Sequence, residues 1–396
     1  MTKHEIVISG YSIASPLGST ITSFEHNLFS GKSGTQTSPT VPLPPRSVGL
    51  FDRSGLKYND DVYSISAHLL NEFILQHPLP QKIDGLITSS YFTTNEANIL
   101  TSFEDPDYFS PDRFEEFISS ELIKRNCRPP DPTQFIPIFA TCSTSHVAIG
   151  AARERILSGI WNNALVICIE PRMSTADCYP FFALGAHTKR AVSGDQASCP
   201  FSADRDGFCK SQGAGILFLE RKSDAIKNGR PPLATICAVS HATDAWRHTD
   251  GRPDCKASIQ VMKTALAEAH LSISEIDCIS AHGTSTKLND PIETRAIKSV
   301  FGNKAHEIPI TALKSQLGHS LISAGVSQAI AACLMIKRQI IPATINFKAP
   351  DPICDLDYVP NVSRNANINN IMCNSFGFGG QNACLILSKG DQYDKE

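Results

Sequence analysis

The sequence predicts a mixed α/β protein built from two similar halves. Three observations lead there. Apolar runs of strand length alternate with small-residue helical stretches along the chain. The order of these runs after residue 232 echoes their order before residue 221. With 396 residues, 41% of them hydrophobic, the chain can fill a large core shared by two domains or by one duplicated domain.

Taken in order, residues 6–10 (IVISG) and 83–88 (IDGLIT) are short apolar runs that read as strands. Residues 164–169 (ALVICI) are apolar throughout, the pattern of a strand buried on both faces, and 214–219 (AGILFL) form a fourth run. In the second half, 276–280 (IDCIS) matches 83–87 in pattern and in its place before a reactive loop. The runs FATC (139–142) and ITALK (310–314) each lead into a small-residue helix, at 147–157 and 324–336. The polar stretch RKSDAIKNGRPP (221–232) reads as the connection, giving halves 1–225 and 226–396. Residues 35–60, rich in Pro, Ser and Thr, read as loop. Residues 101–134 mix charge and proline with Phe103, Tyr108, Phe109, Phe114 and Phe117, and read as a lid, a pocket wall or a dimer-contact helix.

Composition excludes several classes. A formal net charge of −3 leaves no nucleic-acid footprint at the whole-chain level. The start, MTKHEIVISG, has no apolar core of a secretory signal, and no uninterrupted apolar run reaches membrane-spanning length, so no membrane association is expected. The 13 cysteines stand singly, without a C-x-x-C pair. That argues against a zinc ribbon and for reduced thiols in a cytoplasm.

The chemistry lies in three segments, ATCSTS (140–145), AHGTST (281–286) and KSQLGH (314–319). They supply one thiol, two imidazoles and one ammonium. That set can form a thioester, decarboxylate a bound acid and attack the thioester with the resulting carbanion. Cys142 precedes a helix, whose dipole and unpaired N–H groups favour the thiolate. His282 follows an apolar strand, with Thr284 and Thr286 offering hydroxyls to a polar ligand. Downstream, Asp290 and Glu293 open a helix whose dipole they complement. Lys314, between Leu313 and Leu317, reads as buried and in need of a partner or a role; His319 follows it by five residues. Metal binding by the two histidines with Cys142 lacks a carboxylate or third His at ligand spacing. The run NSFGFGG (374–380) places Phe376 and Phe378 among Gly377, Gly379 and Gly380, an unusual backbone with rings turned into a cavity; no Lys-Ser/Thr follows, so it is not a nucleotide P-loop.

With these motifs in order, the chain resembles the β-ketoacyl synthases of the thiolase superfamily, most nearly the elongating class acting on acyl-carrier-protein thioesters in fatty-acid and polyketide synthesis. SGYSIASPLG (9–18), the Cys142 segment, PFSADRDGF (200–208) with SQGAG (211–215), AHGTST with Asp290 and Glu293, LKSQLGH (313–319) and NSFGFGG carry the resemblance, which covers nearly the whole chain. It implies a thiolase-like fold of two α/β halves in five layers, α-β-α-β-α. It implies Cys142 as nucleophile, and His282 and His319 as donors to the malonyl thioester carbonyl during decarboxylation. Lys314 becomes a nearby electrostatic element. The N–H groups of Cys142 and Phe378 form a second oxyanion hole, Thr284 and Thr286 contact the pantetheine arm, and Phe376 to Gly379 form a gating loop. No metal or organic cofactor is implied, because the substrates ride on the phosphopantetheine of the carrier. Cys-His-His separates this chain from thiolases, from priming synthases and from chain-length-factor subunits.

Two departures stand out. Gln212 replaces the acidic residue of the family's GEGAG or GDGAG run. Gln328 replaces a glutamate that pairs with the lysine, making a neutral Lys314 more plausible; Gln328→Glu is expected to be tolerated structurally. The stretch before Cys142 is shorter than in the common fatty-acid enzymes, which makes a specialised type II polyketide or polyene pathway at least equal to fatty-acid synthesis. Competing readings are a cysteine acyltransferase without elongation and a mainly structural subunit. The partners implied are an acyl carrier protein and either a second copy or a chain-length-factor-like subunit. Lys189, Arg190, Lys124, Arg125 and Arg128 are candidate contacts for the acidic carrier.

Overall fold

The apolar runs become ten strands of one sheet in the computed structural model, which describes residues 5–38, 47–52, 61–90, 111–190 and 193–390. The first half supplies β1 (Ile6–Ala14), β2 (Gly85–Ser90), β3 (Phe135–Pro137), β4 (Asn163–Glu170) and β5 (Gly213–Arg221). The second supplies β6 (Ala234–Thr243), β7 (Cys278–Ser280), β8 (Ile310–Thr311), β9 (Asn370–Gly377) and β10 (Gln381–Ser388). Their spatial order is β3-β2-β4-β5-β1-β6-β10-β9-β7-β8. Counted from the edge inward, each half therefore runs third, second, fourth, fifth, first. The pairing senses match too: β3–β2, β2–β4, β8–β7 and β7–β9 are parallel, whereas β4–β5, β5–β1, β9–β10 and β10–β6 are antiparallel. Within the sheet, among the described residues, the halves pair where Val7 meets Thr235 and Ile8 meets Ala234.

Helices cover both faces of each half. On the outside of the first lie α1 (Val62–Gln76) and α2 (Pro111–Lys124). Between the halves lie α3 (Thr144–Leu157) and α6 (Ala324–Arg338). On the outside of the second lie α4 (Lys256–Ala269) and α5 (Asn289–Phe301). This is the five-layered thiolase-like arrangement. The strands explain why three apolar cores form. Along β4, Leu165, Ile167 and Ile169 face the outer core, while Ala164, Val166 and Cys168 face the central one. Along β10, Leu385 and Leu387 face the central core, and Cys384 and Ile386 the other outer one. A strand sandwiched by helices on both faces must be apolar at every position. The small residues of α3 and α6 let two helices fit in the middle layer.

Several details differ from the sequence expectations. Part of the 35–60 stretch is a two-stranded ribbon, Thr35–Thr37 against Ser47–Gly49, because alternating Thr, Ser and Val side chains tolerate a pleated backbone. The 221–232 connection contains a short helix, Lys222–Lys227, and Arg230 returns inward to a bidentate pair with buried Glu220. Phe103, Tyr108 and Phe109 lie outside the described residues. Phe114 and Phe117 sit on α2 and pack against Tyr63 of α1, so this part of the 101–134 segment is an outer helix. The segment Leu321–Arg338 has the length and hydropathy to cross a membrane, despite Ser327 and Gln328. It lies instead largely buried, mostly as α6, between the two half-sheets.

Candidate active site

The Cys142 segment is built by a turn and a stitch. Thr141 adopts a left-handed φ of 50° and opens a single 3-10 turn, Thr141–Ser143, from which α3 continues. Cys142 thus sits at the head of the helix, 5% exposed. The Ser143 hydroxyl donates to the carbonyls of Ser375 (2.8 Å) and Gln381 (2.6 Å), and the Thr141 hydroxyl donates to the carbonyl of Phe378 (2.9 Å). The glycine-rich run is thereby laid against Cys142. At Gly377 a Cβ would stand 2.3 Å from Thr141 Oγ1 and 3.1 Å from the Cys142 nitrogen, so no side chain fits. Gly379 needs its φ of 75°. The N–H groups of Phe378 and Cys142 both favour the thiolate, against the effect of burial.

The imidazoles come from the second half. His282 leaves the end of β7, and Glu293 on α5 accepts the N–H groups of His282 and Gly283, each at 2.8 Å. Asp290 accepts that of Thr284. Lys314 Nζ donates to the His282 carbonyl at 2.6 Å and stands 3.4 Å from its Nδ1. His319 is pinned by its own N–H to the carbonyl of Cys209 and by its carbonyl from the N–H of Ser211. Its Nδ1 accepts the N–H of Leu321 at 3.2 Å. Leu321, with φ 46°, opens a 3-10 turn into α6 as Thr141 does into α3. The two imidazole rings are 5.5 Å apart and edge-on. Phe376 packs on His282, and Phe208 on His319.

Cys142, His282, His319, Thr284, Thr286, Phe376, Gly377 and Phe378 line one pocket of 190 Å³. Lys314 stands behind His282, and Gly379 is off the pocket wall. Thr284 and Thr286 share a hydroxyl–hydroxyl bond of 2.9 Å. Among the described residues, no cluster of three His, Cys, Asp or Glu side chains could hold a metal ion.

Profiles for the amino-terminal and carboxy-terminal domains of β-ketoacyl synthases match residues 136–225 and 233–348. A 3-oxoacyl-[acyl-carrier-protein] synthase 2 of Rhizobium meliloti is 34% identical over 78% of this chain and 71% of its own length. The chain belongs to the β-ketoacyl synthase family. Other members include a 3-oxoacyl-[acyl-carrier-protein] synthase 2 of Coxiella burnetii, 29% identical over 98% of this chain and 99% of its own. The ketoacyl synthase alpha subunit of the tetracenomycin polyketide synthase of Streptomyces glaucescens is 26% identical over 98% and 99%. A solved type II polyketide ketosynthase in complex with its acyl carrier protein (AntDE:AntF) superposes with a TM-score of 0.86 at 29% identity, covering 98% of this chain and 100% of that one.

In this β-ketoacyl synthase the electrostatics revise the thiolate expectation for Cys142. The Cys142 thiol is not acidified. Burial pushes it up to about 11, outweighing the two N–H groups and the Lys314 ammonium that oppose the rise. Burial also holds both imidazoles well below their ordinary value, with the nearby lysine adding to the effect, so His282 and His319 are neutral. Lys314 falls to about 8 through burial, and Glu293, with a smaller part from Asp290, restrains the fall. In the sequence Glu293 reads as a helix-dipole carboxylate and a motif position, with no link to Lys314; its place after the AHGTST loop was the signal. Gln328 lines a small cavity together with Lys314, and its amide nitrogen turns to the end of β7. It donates to the Ser280 carbonyl (2.7 Å), the Ser280 hydroxyl (2.9 Å) and the Ala281 carbonyl (3.3 Å). Gln212 likewise uses both ends of its amide, accepting from the Phe51 N–H and donating to the Pro171 carbonyl.

Other contributors went unread in the sequence. Ser143 and Ser375 carry the stitch, Phe208 the wall beside His319, and Phe181 the face on which Phe378 stacks. Of the candidate carrier contacts, Lys124 and Arg125 pair with Glu121, and Arg190 pairs with Asp204. At the pocket itself Lys287 is the lining cation.

Proposed function

We propose that the chain catalyses decarboxylative Claisen condensation on carrier-bound thioesters. The observation that carries this reading is the orientation of the two imidazoles beside the thiol. His319 Nδ1 is occupied by the Leu321 N–H, and His282 Nδ1 faces the Lys314 ammonium. Each ring then carries its hydrogen on Nε2, as a neutral donor. Two neutral donors suit a carbonyl oxygen that becomes an enolate, because charge develops there only in the transition state.

The steps balance as follows. Cys142 attacks the acyl thioester of a carrier; its S–C bond forms, the carrier thiol leaves with the Cys142 proton, and the oxyanion meets the N–H groups of Cys142 and Phe378. Malonyl thioester then binds with its carbonyl on His282 and His319. The carboxylate leaves as carbon dioxide, its bonding pair becoming the enolate. The enolate carbon attacks the Cys142 acyl carbon, and the Cys142 thiolate leaves and takes a proton from solvent water. Lys314 stabilises the His282 backbone and the local negative charge. Thr284 and Thr286 hold the pantetheine arm, and Phe376 and Phe378 gate the acyl chain. The scheme needs no metal or organic cofactor. Halves 1–225 and 226–396 supply the nucleophile and the two donors respectively.

The partner is an acyl carrier protein, met at the Lys287 side of the mouth. The chain works as a dimer, with itself or with a chain-length-factor-like subunit; a solved ishigamide ketosynthase/chain length factor superposes with a TM-score of 0.81 at 26% identity. All thirteen cysteines are free, which suits a cytoplasmic enzyme. The test is the mass of carrier-bound products from acyl and malonyl carriers, beside Cys142→Ala. A β-ketoacyl product two carbons longer, absent in the variant, is expected. Acylated Cys142 without carbon dioxide release would instead mean plain acyl transfer.

A further inference from the structure

The mouth of the pocket that holds Cys142 carries exposed apolar side chains. Leu184 stands just past the helix Thr175–Ala183, and Leu288 just before α5. Both line the pocket, and they are 54% and 56% exposed. Between β6 and α4, Thr249, Asp250 and Gly251 line it too, and Trp246 lies three residues before Thr249. Of the two tryptophans, Trp161 is buried and Trp246 is 51% exposed. The Trp246 ring is held in place: the guanidinium carbons of Arg247 and Arg252 each stand 5.7 Å from its centroid. Apolar side chains scattered singly over a surface mean little, whereas several around one opening mark a contact surface. A fixed tryptophan is the kind of side chain that dominates such contacts.

The charges at this mouth do not favour an acidic partner. Among the described lining residues, Lys287 stands with Asp206, Asp244 and Asp250. The nearby guanidiniums are neutralised locally, Arg247 by Asp250 at 3.4 Å and Arg252 by Asp254 at 2.8 Å. One ammonium among three carboxylates gives an acidic carrier little steering.

We infer that Leu184, Trp246 and Leu288 form the docking surface for the carrier protein, which is held by apolar contact centred on Trp246 and not by opposite charge; this rests on the carrier-dependent reaction proposed above. The occupant follows from continuity. A thioester tethered to a carrier reaches Cys142 through this mouth, so the protein that bears the tether covers the rim. The matching carrier face is an apolar helix flank beside its pantetheine attachment. The cationic contacts expected from the sequence become secondary.

The test uses hexanoyl thioesters of an acyl carrier protein and of N-acetylcysteamine, a donor too small to span the rim, with Cys142 acylation read by intact mass. Trp246→Ala is expected to slow acylation from subsaturating carrier on the order of tenfold to hundredfold, and acylation from N-acetylcysteamine by less than about twofold. Leu288→Ser should act in the same direction, more weakly. Raising sodium chloride from about 50 mM to about 500 mM should change the parent's carrier-dependent rate by less than about threefold, since apolar contact is not screened. Lys287→Ala should lower that rate less than Trp246→Ala does. Thermal melting verifies that each variant is folded. A salt-dependent loss of about tenfold or more in the parent, with Lys287→Ala the worse variant, means charge-led docking and overturns the inference. Equal loss from both donors in folded Trp246→Ala, or no loss, does so too. A Trp246→Ala chain whose sedimentation changes while its carrier-dependent rate does not assigns the rim to a second copy, and likewise overturns it. The readout is acylation alone. A parent that is acylated without releasing carbon dioxide would therefore remove the condensation step and leave the docking result to stand.

Discussion

Ser143 and Ser375 bind in both directions across the pocket floor: Ser143 donates to the carbonyl of Ser375 at 2.8 Å, and Ser375 donates to the carbonyl of Cys142 at 2.9 Å. One serine comes from the nucleophile turn and the other from β9. The bond pair fixes the distance between the thiol and the glycine-rich run, and so the position of the Phe378 N–H relative to the sulfur.

Ser375→Ala should leave the Cys142 carbonyl without that donor. A loss of about 1–3 kcal/mol is expected, since the group is buried. Chemical denaturation followed by fluorescence measures it. An unchanged midpoint and slope would show that the stitch contributes nothing.

Gly377→Ala should push the glycine-rich run away from the nucleophile, because the new Cβ overlaps Thr141 Oγ1 at 2.3 Å. Acylation of Cys142 should slow by about tenfold or more, as the Phe378 N–H leaves its place. Adding Thr141→Ala removes the overlapping atom and should recover part of the rate. Additive losses in the double variant would place the effect elsewhere.

Because burial raises the Cys142 thiol to about 11, its alkylation should speed up steadily from pH 6 to pH 9, by close to one logarithmic unit per pH unit. Iodoacetamide labelling of the Cys142 peptide, followed by mass spectrometry, reports the slope. A plateau near neutrality would mean that the helix dipole outweighs burial.

His146, one turn into α3, is fully buried and has no hydrogen-bond partner at either ring nitrogen among the described residues. Burial, aided by Lys314, pushes it from 6.5 down to about 3. The folded value lies below the unfolded one, so the unfolded chain binds the extra proton on acidification. The stability is present above pH 6.5 and is lost as pH falls toward 3. By pH 5 this one group should cost on the order of 2 kcal/mol. His146→Leu should therefore melt less steeply between pH 7 and pH 5 than the parent, and a parallel decline would exclude His146 as a source.

The fold was legible because buried strands advertise themselves. The runs at 164–169 and 214–219 are apolar at every position, and only a sheet covered on both faces requires that. Cys142, His282, His319 and the NSFGFGG run were legible because a reactive side chain among small residues is rare in a plain core. What the sequence hid depends on tertiary surroundings. The thiolate expectation for Cys142 used the helix beneath it, a local property, whereas the deciding factor is the removal of water by the opposite half. Lys314 finds Glu293 twenty-one residues upstream, and the Gln328 amide nitrogen reaches the end of β7. Which donor meets which acceptor follows from where helices cross, and linear spacing does not encode that.

The left-handed residue and 3-10 turn that open α3 recur, with Thr141 and Leu321 as counterparts, at the start of α6. A symmetric frame thus serves an asymmetric reaction. One copy of the device presents the thiol, and the other fixes the tautomer of His319 through the Leu321 N–H. This division of labour has removed redundancy: damage at either helix start has no spare in the other half. It also leaves each copy to be altered separately, so a substitution at the Thr141 turn and one at the Leu321 turn act on different side chains.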